Sequence, residues 1–232
     1  MKNDLSIPHV RDAILSITWP KDGKIRARKV VTRSRARSTG KYPSWKMDRM
    51  VQWESIHERN ALVLLDANPS VSVFSEQPCV IAYMLAGVAH QHFPDVFVDT
   101  PAGPELWEIK EATDAADKDV AARTRLMEEE LPRLGFQYRV VLAADLASEP
   151  LLSNARMVIK CGRTVQLDEA EAETLRRDFM RMPPRIWGEV LEGRFGPRGQ
   201  ARVCRLMLMG LLRMNLRLPL GPDTPLFGTR GR

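Results

Sequence analysis

The sequence predicts an α/β protein: a mixed β-sheet flanked by helices, followed by a smaller and mostly helical C-terminal unit. Two observations carry this. Between about residues 47 and 143 the apolar pattern runs helix, strands, helix, strand. After about residue 147 it changes to short amphipathic helices separated by Pro and Gly. The 232 residues, 44% hydrophobic and 28% charged, suffice for one large core or two small ones and exclude wholesale disorder.

Taken in order, residues 24–46 are basic, contain Ser and Thr, and are punctuated by Gly40 and Pro43, which predicts an arm or loop. Trp53, Ile56, Asn60, Val63 and Leu64 recur at a spacing of three to four, which predicts a helix over 47–66 stopped by Asn68-Pro69. Residues 71–74, 80–85 and 88–98 are strand-like, with Ala86-Gly87 as a hairpin turn. A strand over 105–111, a charged helix over 114–134 and a strand over 137–143 follow. Residues 156–160 suggest one more strand. Helices are expected over 168–181, 186–191 and 200–212, and a wing-like strand pair over 214–220. Three short helices and a hairpin are the outline of a winged helix.

Charge divides the chain into three. Residues 1–60 hold 14 Lys and Arg against 6 acids, residues 61–150 hold 6 against 15, and residues 151–232 hold 15 against 8. Basic flanks attract phosphate backbones. An acidic centre suits nucleic acid only if cations neutralise it. The pattern therefore fits double-stranded DNA gripped at the flanks and divalent metal held in the middle. Within the basic run Arg33, Arg35, Arg37 and Lys41 are the candidate DNA contacts, joined by Arg123 on the later helix. No apolar run approaches the roughly 18–20 residues of a membrane span, so no membrane partner is expected. The N-terminus carries Asp4 and Asp12 and has no continuous apolar stretch of a secretion signal. Cys79, Cys161 and Cys204 are odd in number and lack metal-ligand spacing, so the expected compartment is the reducing cytoplasm.

The chemistry concentrates in Pro94-Asp95 and Glu108-Ile109-Lys110. Strand side chains alternate, so Glu108 and Lys110 share a face and Ile109 takes the other. If the two strands are neighbours, Asp95 meets Glu108 and two carboxylates converge with an ammonium. Hard carboxylate oxygens hold Mg²⁺, or Mn²⁺ in its place, and the Ile109 carbonyl is a further hard ligand. A lysine beside the attacking water stabilises charge building on phosphorus. Glu54 and Glu58, four apart on one helical face, are both candidates for a further carboxylate.

The run Glu54-Ser55-Ile56-His57-Glu58-Arg59-Asn60, then Glu76-Gln77-Pro78, Phe93-Pro94-Asp95 and Trp107-Glu108-Ile109-Lys110, resembles the catalytic domain of TnsA, the endonuclease subunit of heteromeric transposases. The resemblance spans about residues 40–145 and implies the restriction-endonuclease-like PD-(D/E)xK fold. It implies Glu58 as the helical acid, Asp95 and Glu108 as metal ligands, Lys110 as the catalytic lysine and Gln77 at the edge of the active site. It further implies cleavage at the 5′ ends of a transposon beside a TnsB-like transposase, under a TnsC-like AAA+ regulator. The expected division is a basic arm over 1–47, a nuclease domain over 48–147 and a winged-helix-like domain over 148–232. A stand-alone restriction or junction-resolving nuclease and a non-catalytic DNA-binding adaptor are the alternatives.

Overall fold

The computed structural model describes residues 12–21, 24–28, 38–181 and 185–229. Arg33, Arg35 and Arg37 lie outside the described residues. The chain is mixed α/β, with several sheets and helices on their faces. No helix among the described residues is long and apolar enough to cross a membrane.

Strand β1 (Ala13–Thr18) is followed by the hairpin β2 (Gly40–Ser44) and β3 (Arg49–Trp53), and then by helix α1 (Ile56–Ala67). This corrects two expectations: part of the basic run is a strand, and the helix begins at Ile56 rather than residue 47. Ser55 sets that start by accepting the Glu58 N–H at 3.1 Å, an N-cap that satisfies one of the helix's open donors.

Next come β4 (Val73–Glu76), β5 (Val80–Leu85), β6 (Val88–His92), β7 (Val96–Thr100) and β8 (Gly103–Lys110). The single strand expected over 88–98 is two strands in different sheets. β6 completes the antiparallel sheet β1-β5-β6, and β7 belongs to the four-stranded sheet β4-β7-β8-β9, where β9 is Gln137–Leu142. Between β4 and β8 the chain changes sheet twice, once at Gln77-Pro78 and once at Phe93-Pro94-Asp95. Proline lacks a ladder donor, so the break at Pro94 has a physical cause. Gln77 turns with φ +49.

The charged segment expected as one helix is α2 (Ala112–Ala115), α3 (Lys118–Glu130) and a 3₁₀ turn over Leu131–Leu134. Asp117 caps α3 through the Asp119 and Val120 N–H groups. Strand β8 pairs β7 antiparallel and β9 parallel, the latter through α3. Two cores lie on opposite sides of β8. Leu106 packs with Ile81, Met127, Leu131 and Tyr138, while Trp107 and Ile109 pack with Leu62, Phe74, Val96 and Val98.

The C-terminal part holds α4 (Ala143–Leu146), α5 (Leu151–Gly162), α6 (Glu169–Arg181), β10 (Arg185–Ile186), α7 (Trp187–Leu191), α8 (Gly199–Leu208), β11 (Leu212–Arg213) and β12 (Pro225–Gly228). Residues 156–160 are therefore helical and not a strand. Leu152, Ala155, Val158 and Ile159 form the buried stripe of α5, and its period identifies a helix. Residues 214–220 are not strands either. The small sheet is β10-β12-β11. Val63 and Ala67 of α1 share a core with α5, α6 and α8, so α1 joins the two expected units.

Asp66 ties the hairpin to α1. Fully buried, it accepts the Tyr42 hydroxyl at 2.7 Å, the Ser44 hydroxyl at 2.6 Å and the Trp45 and Lys46 N–H groups at 3.2 Å each. Removing an acceptor strands several buried donors. Asp66→Ala is expected to cost about 3 kcal/mol, a fall of roughly 6–12 °C in the thermal midpoint. Calorimetry showing a fall under 2 °C, on the order of 0.5 kcal/mol, contradicts this role.

Candidate active site

The corner at Pro94 delivers Asp95 to the end of the four-stranded sheet. Val96 pairs with Trp107, which places Asp95 opposite Glu108. The Asp95 N–H donates to the Trp107 carbonyl at 2.9 Å, and the Asp95 carbonyl accepts the Gln77 N–H at 2.9 Å. The Asp95 carboxylate Oδ2 accepts the Ile109 N–H at 2.7 Å. The N–H and C=O of one strand residue point to the same side, so the Ile109 carbonyl also faces the β7 side, beyond the last β7–β8 pair.

These residues open onto a cavity of about 750 Å³ lined by both carboxylates, Ile109, Lys110, Glu54 and Glu58, among others. Its walls carry six carboxylates, counting Glu111 and Asp114, against the cations Arg28 and Lys110. Lys110 Nζ lies 2.9 Å from Glu108 Oε1, so the alternation expected along β8 holds. Glu58 Oε2 accepts the Glu54 N–H at 2.8 Å, which fixes the carboxylate over the first turn of α1. Glu54 itself pairs with Arg28 at 2.7 Å. Glu58 is therefore the helical acid whose charge bears on Asp95.

Enclosure by protein, then the charges of Glu108 and Glu58, raise the Asp95 carboxyl well above its ordinary value against the pull of the Ile109 N–H and Lys110. Asp95 keeps some residue surface open to the cavity, yet its carboxyl is closely surrounded by protein. Burial also raises Glu58, with Glu54 adding to the effect against the Glu54 N–H and Ser55.

Glu108 is buried and crowded. Besides Lys110, Arg123 Nη2 donates to its Oε1 at 3.1 Å. Arg123, a sequence candidate for phosphate, is thus engaged inside the protein. His92 Nε2 lies 3.4 Å from Glu108 Oε2 and 3.0 Å from the Tyr138 hydroxyl. Burial, then Arg123 and Lys110, push the His92 imidazole down to about 3, so it is neutral. Burial holds Tyr138 protonated, and its hydroxyl shares a hydrogen bond with His92 Nε2 whose direction follows the imidazole tautomer. Glu108 Oε2 is left buried with no hydrogen-bond partner.

Gln77 lies behind the site. Besides holding Asp95, it accepts Arg28 Nε at 2.7 Å and, through its carbonyl, the Ala27 N–H at 2.9 Å. Next to it the buried Glu76 takes Arg49 at 3.0 and 2.7 Å, Arg26 at 2.7 Å and the Gln52 N–H at 3.0 Å. Burial opposes the Glu76 charge, but these donors outweigh it and hold the carboxyl below its ordinary value. Lys41 is exposed on β2 and does not line the cavity. Tyr138 and Arg28 carry no local motif and were missed by sequence reasoning, whereas His92 stood out in the sequence only as one of two histidines, with His90, ahead of Asp95. The Ser55-x-x-Glu58 capping pattern was a usable signal for Glu58.

Among the described residues no three His, Cys, Asp or Glu side chains form a ready metal cluster. That still fits Mg²⁺, which is usually bound by one or two carboxylates and keeps several waters. The unpaired Glu108 Oε2 and the crowding of like charges on Asp95 both fit a cation there.

The sequence matches no protein-family model, and no curated protein matches it significantly.

A carboxyl whose folded value is raised contributes stability below its free value, and loses it as pH climbs through the folded one. In metal-free buffer Asp95→Asn, which keeps an acceptor for the Ile109 N–H, is therefore expected to be more stable than wild type near pH 7. The gain is about 1 kcal/mol, or roughly 2–4 °C. The gap closes toward about pH 4. A wild type more stable than the variant at pH 7, or a gap independent of pH, contradicts the assignment.

Proposed function

We propose that this chain is a metal-dependent DNA endonuclease with a restriction-endonuclease-like PD-(D/E)xK domain. It would act as the TnsA-like partner of a TnsB-like transposase under a TnsC-like regulator. The carrying observation is the β7–β8 register, which sets Asp95 opposite Glu108 with Lys110 Nζ 2.9 Å from the Glu108 carboxylate. The order α1, β4, β7, β8, α3, β9, with β5 and β6 as an inserted hairpin, supports the fold reading. Helices α6, α7 and α8 with the β10-β12-β11 sheet support a winged-helix-like C-terminal unit. The transposition role rests on the order of Glu58, Glu76-Gln77-Pro78, Pro94-Asp95 and Glu108-Ile109-Lys110.

Asp95, Glu108 and the Ile109 carbonyl would hold Mg²⁺ or Mn²⁺, which supplies Lewis acidity at the phosphoryl oxygen and acidifies water. The reaction is hydrolysis. A water oxygen bonds to phosphorus, the bond from phosphorus to the leaving sugar oxygen breaks, and that oxygen takes up a proton. Lys110 stabilises negative charge gathering on the phosphoryl group. Glu58 orients water through the oxygen its backbone contact leaves free. Neutral His92 lacks the proton affinity for acid–base work near pH 7 and instead shapes the wall behind Glu108.

The test incubates DNA bearing transposon ends with Mn²⁺, with and without the cognate transposase. Cutting at the 5′ ends is expected only in the complete mixture. Asp95→Ala should abolish it and Lys110→Ala should slow it by about 10²–10³-fold. Undiminished cutting by Asp95→Ala refutes the site. Cutting by the chain alone, lost in Asp95→Ala, refutes the transposase-dependent role and leaves a stand-alone nuclease.

A further inference from the structure

A second cleft, of about 200 Å³, lies between α1 and α5. Its lining is Tyr42, Arg59, Val63, Arg156, Ile159, Lys160 and Arg163. Arg156, Lys160 and Arg163 follow at i, i+4 and i+7, so they form one stripe along α5 that faces Arg59 on α1. All four cations are exposed. Among the described residues no carboxylate lies within ion-pair distance of any of them, and Arg156 donates only to Asn60 Oδ1, at 3.0 Å.

Several other cations of the chain are, by contrast, engaged within the protein. Arg26 and Arg49 are taken by Glu76, Arg123 by Glu108, Arg185 and Arg194 by Glu189, and Arg205 lies over the Trp45 ring. Two acids whose charge is felt in the cleft, Asp66 and Glu149, are already committed. Asp66 lies behind Tyr42 and holds its hydroxyl and three further donors, and Glu149, whose carboxylate feels Arg156, is bonded to the Ser153 N–H. Burial and Asp66 raise the Tyr42 phenol, while Arg163 and Arg59 both pull it down. Cations from the two helices thus converge on one point.

Helix dipoles explain only part of this. Lys160 and Arg163 sit at the C-terminal end of α5, where cations are favoured. Arg59 lies in the first turns of α1, near the positive end of the dipole, and Arg156 is in the middle of α5. Neither gains there. Like charges gathered with no carboxylate paired to them repel, and an anion between the helices relieves them. Three of the four are guanidiniums, whose forked donors match phosphate oxygens.

Position selects the anion. Arg59 directly follows Glu58, about 3.8 Å away along the backbone, so the cleft and the carboxylate cavity occupy adjoining faces of one helical turn. We propose that the Arg59–Arg156–Lys160–Arg163 cleft binds backbone phosphates of the DNA flanking the cleaved bond, and so sets the register in which the strand enters the cavity. This rests on the nuclease reading above for the identity of the anion.

The test measures binding of a fluorescein-labelled random-sequence duplex by anisotropy across a salt series in EDTA. Wild type is compared with the triple variant Arg156→Gln/Lys160→Gln/Arg163→Gln and with Asp95→Ala; cleavage with Mn²⁺ and transposase is assayed separately. The triple variant is expected to bind at least about tenfold more weakly at low salt. Its slope of log affinity against log salt should be shallower by about 2–3. Asp95→Ala should keep the wild-type slope. If the triple variant has lost its wild-type circular dichroism, Arg163→Gln alone is used, with an expected slope change of about 1. An unchanged affinity and slope in a folded variant overturns the proposal, whether or not the wild type cuts DNA. Binding of labelled polyglutamate is measured in the same way: its loss in the triple variant with an unchanged DNA slope also overturns the proposal and assigns the cleft to an acidic protein segment. A shallower slope together with no cutting by any preparation supports the cleft while refuting the nuclease reading.

Discussion

The antiparallel pairing of β7 with β8 is the constraint on which the rest of the site depends. It sets Asp95 against Glu108 and spends the Asp95 backbone on both sides, on Trp107 and on Gln77. Two carboxylates are thereby held where electrostatics alone would separate them. The fold supplies partial compensation: Lys110 and Arg123 on one Glu108 oxygen and the Ile109 N–H on Asp95. It leaves the other Glu108 oxygen without a donor. Such a site is stable only because the sheet and the cores on its two faces hold it.

The surroundings follow the same division. Glu76 also points a carboxylate inward from β4, but three arginine contacts and a backbone N–H neutralise it. It is a structural joint that fastens β3 and the 24–28 segment beside the cavity. Asp66 has the same role between the β2–β3 hairpin and α1. Buried carboxylates thus come in two kinds here. Those saturated by donors hold the fold together, and those short of donors face the cavity.

The juxtaposition of Asp95, Glu108 and Lys110 was legible in the sequence because it depends on the alternation of a single strand and on one hairpin-like return to Asp95. Where local pattern and tertiary context disagreed, the sequence misled. Residues 47–53 carry apolar spacing that passes for helix, yet Asp48 turns with φ +48 and the segment pairs as β3. Met157-Val158-Ile159 looks like a strand core in a short window, while α5 is evident over the longer stripe from Leu152 to Ile159. The strand expected through 88–98 ignored Pro94, which breaks the ladder. His92 and Tyr138 meet across 46 positions, and no local pattern encodes such a contact.

We propose that the Asp95–Glu108 pair, short of positive charge, is completed by a divalent cation. Calorimetric titration of Mn²⁺ into metal-free protein tests it most directly. The account predicts saturable binding by wild type, lost in Asp95→Asn while the variant's circular dichroism stays that of wild type. Absence of saturable Mn²⁺ binding to wild type, or binding that survives unchanged in Asp95→Asn, contradicts it.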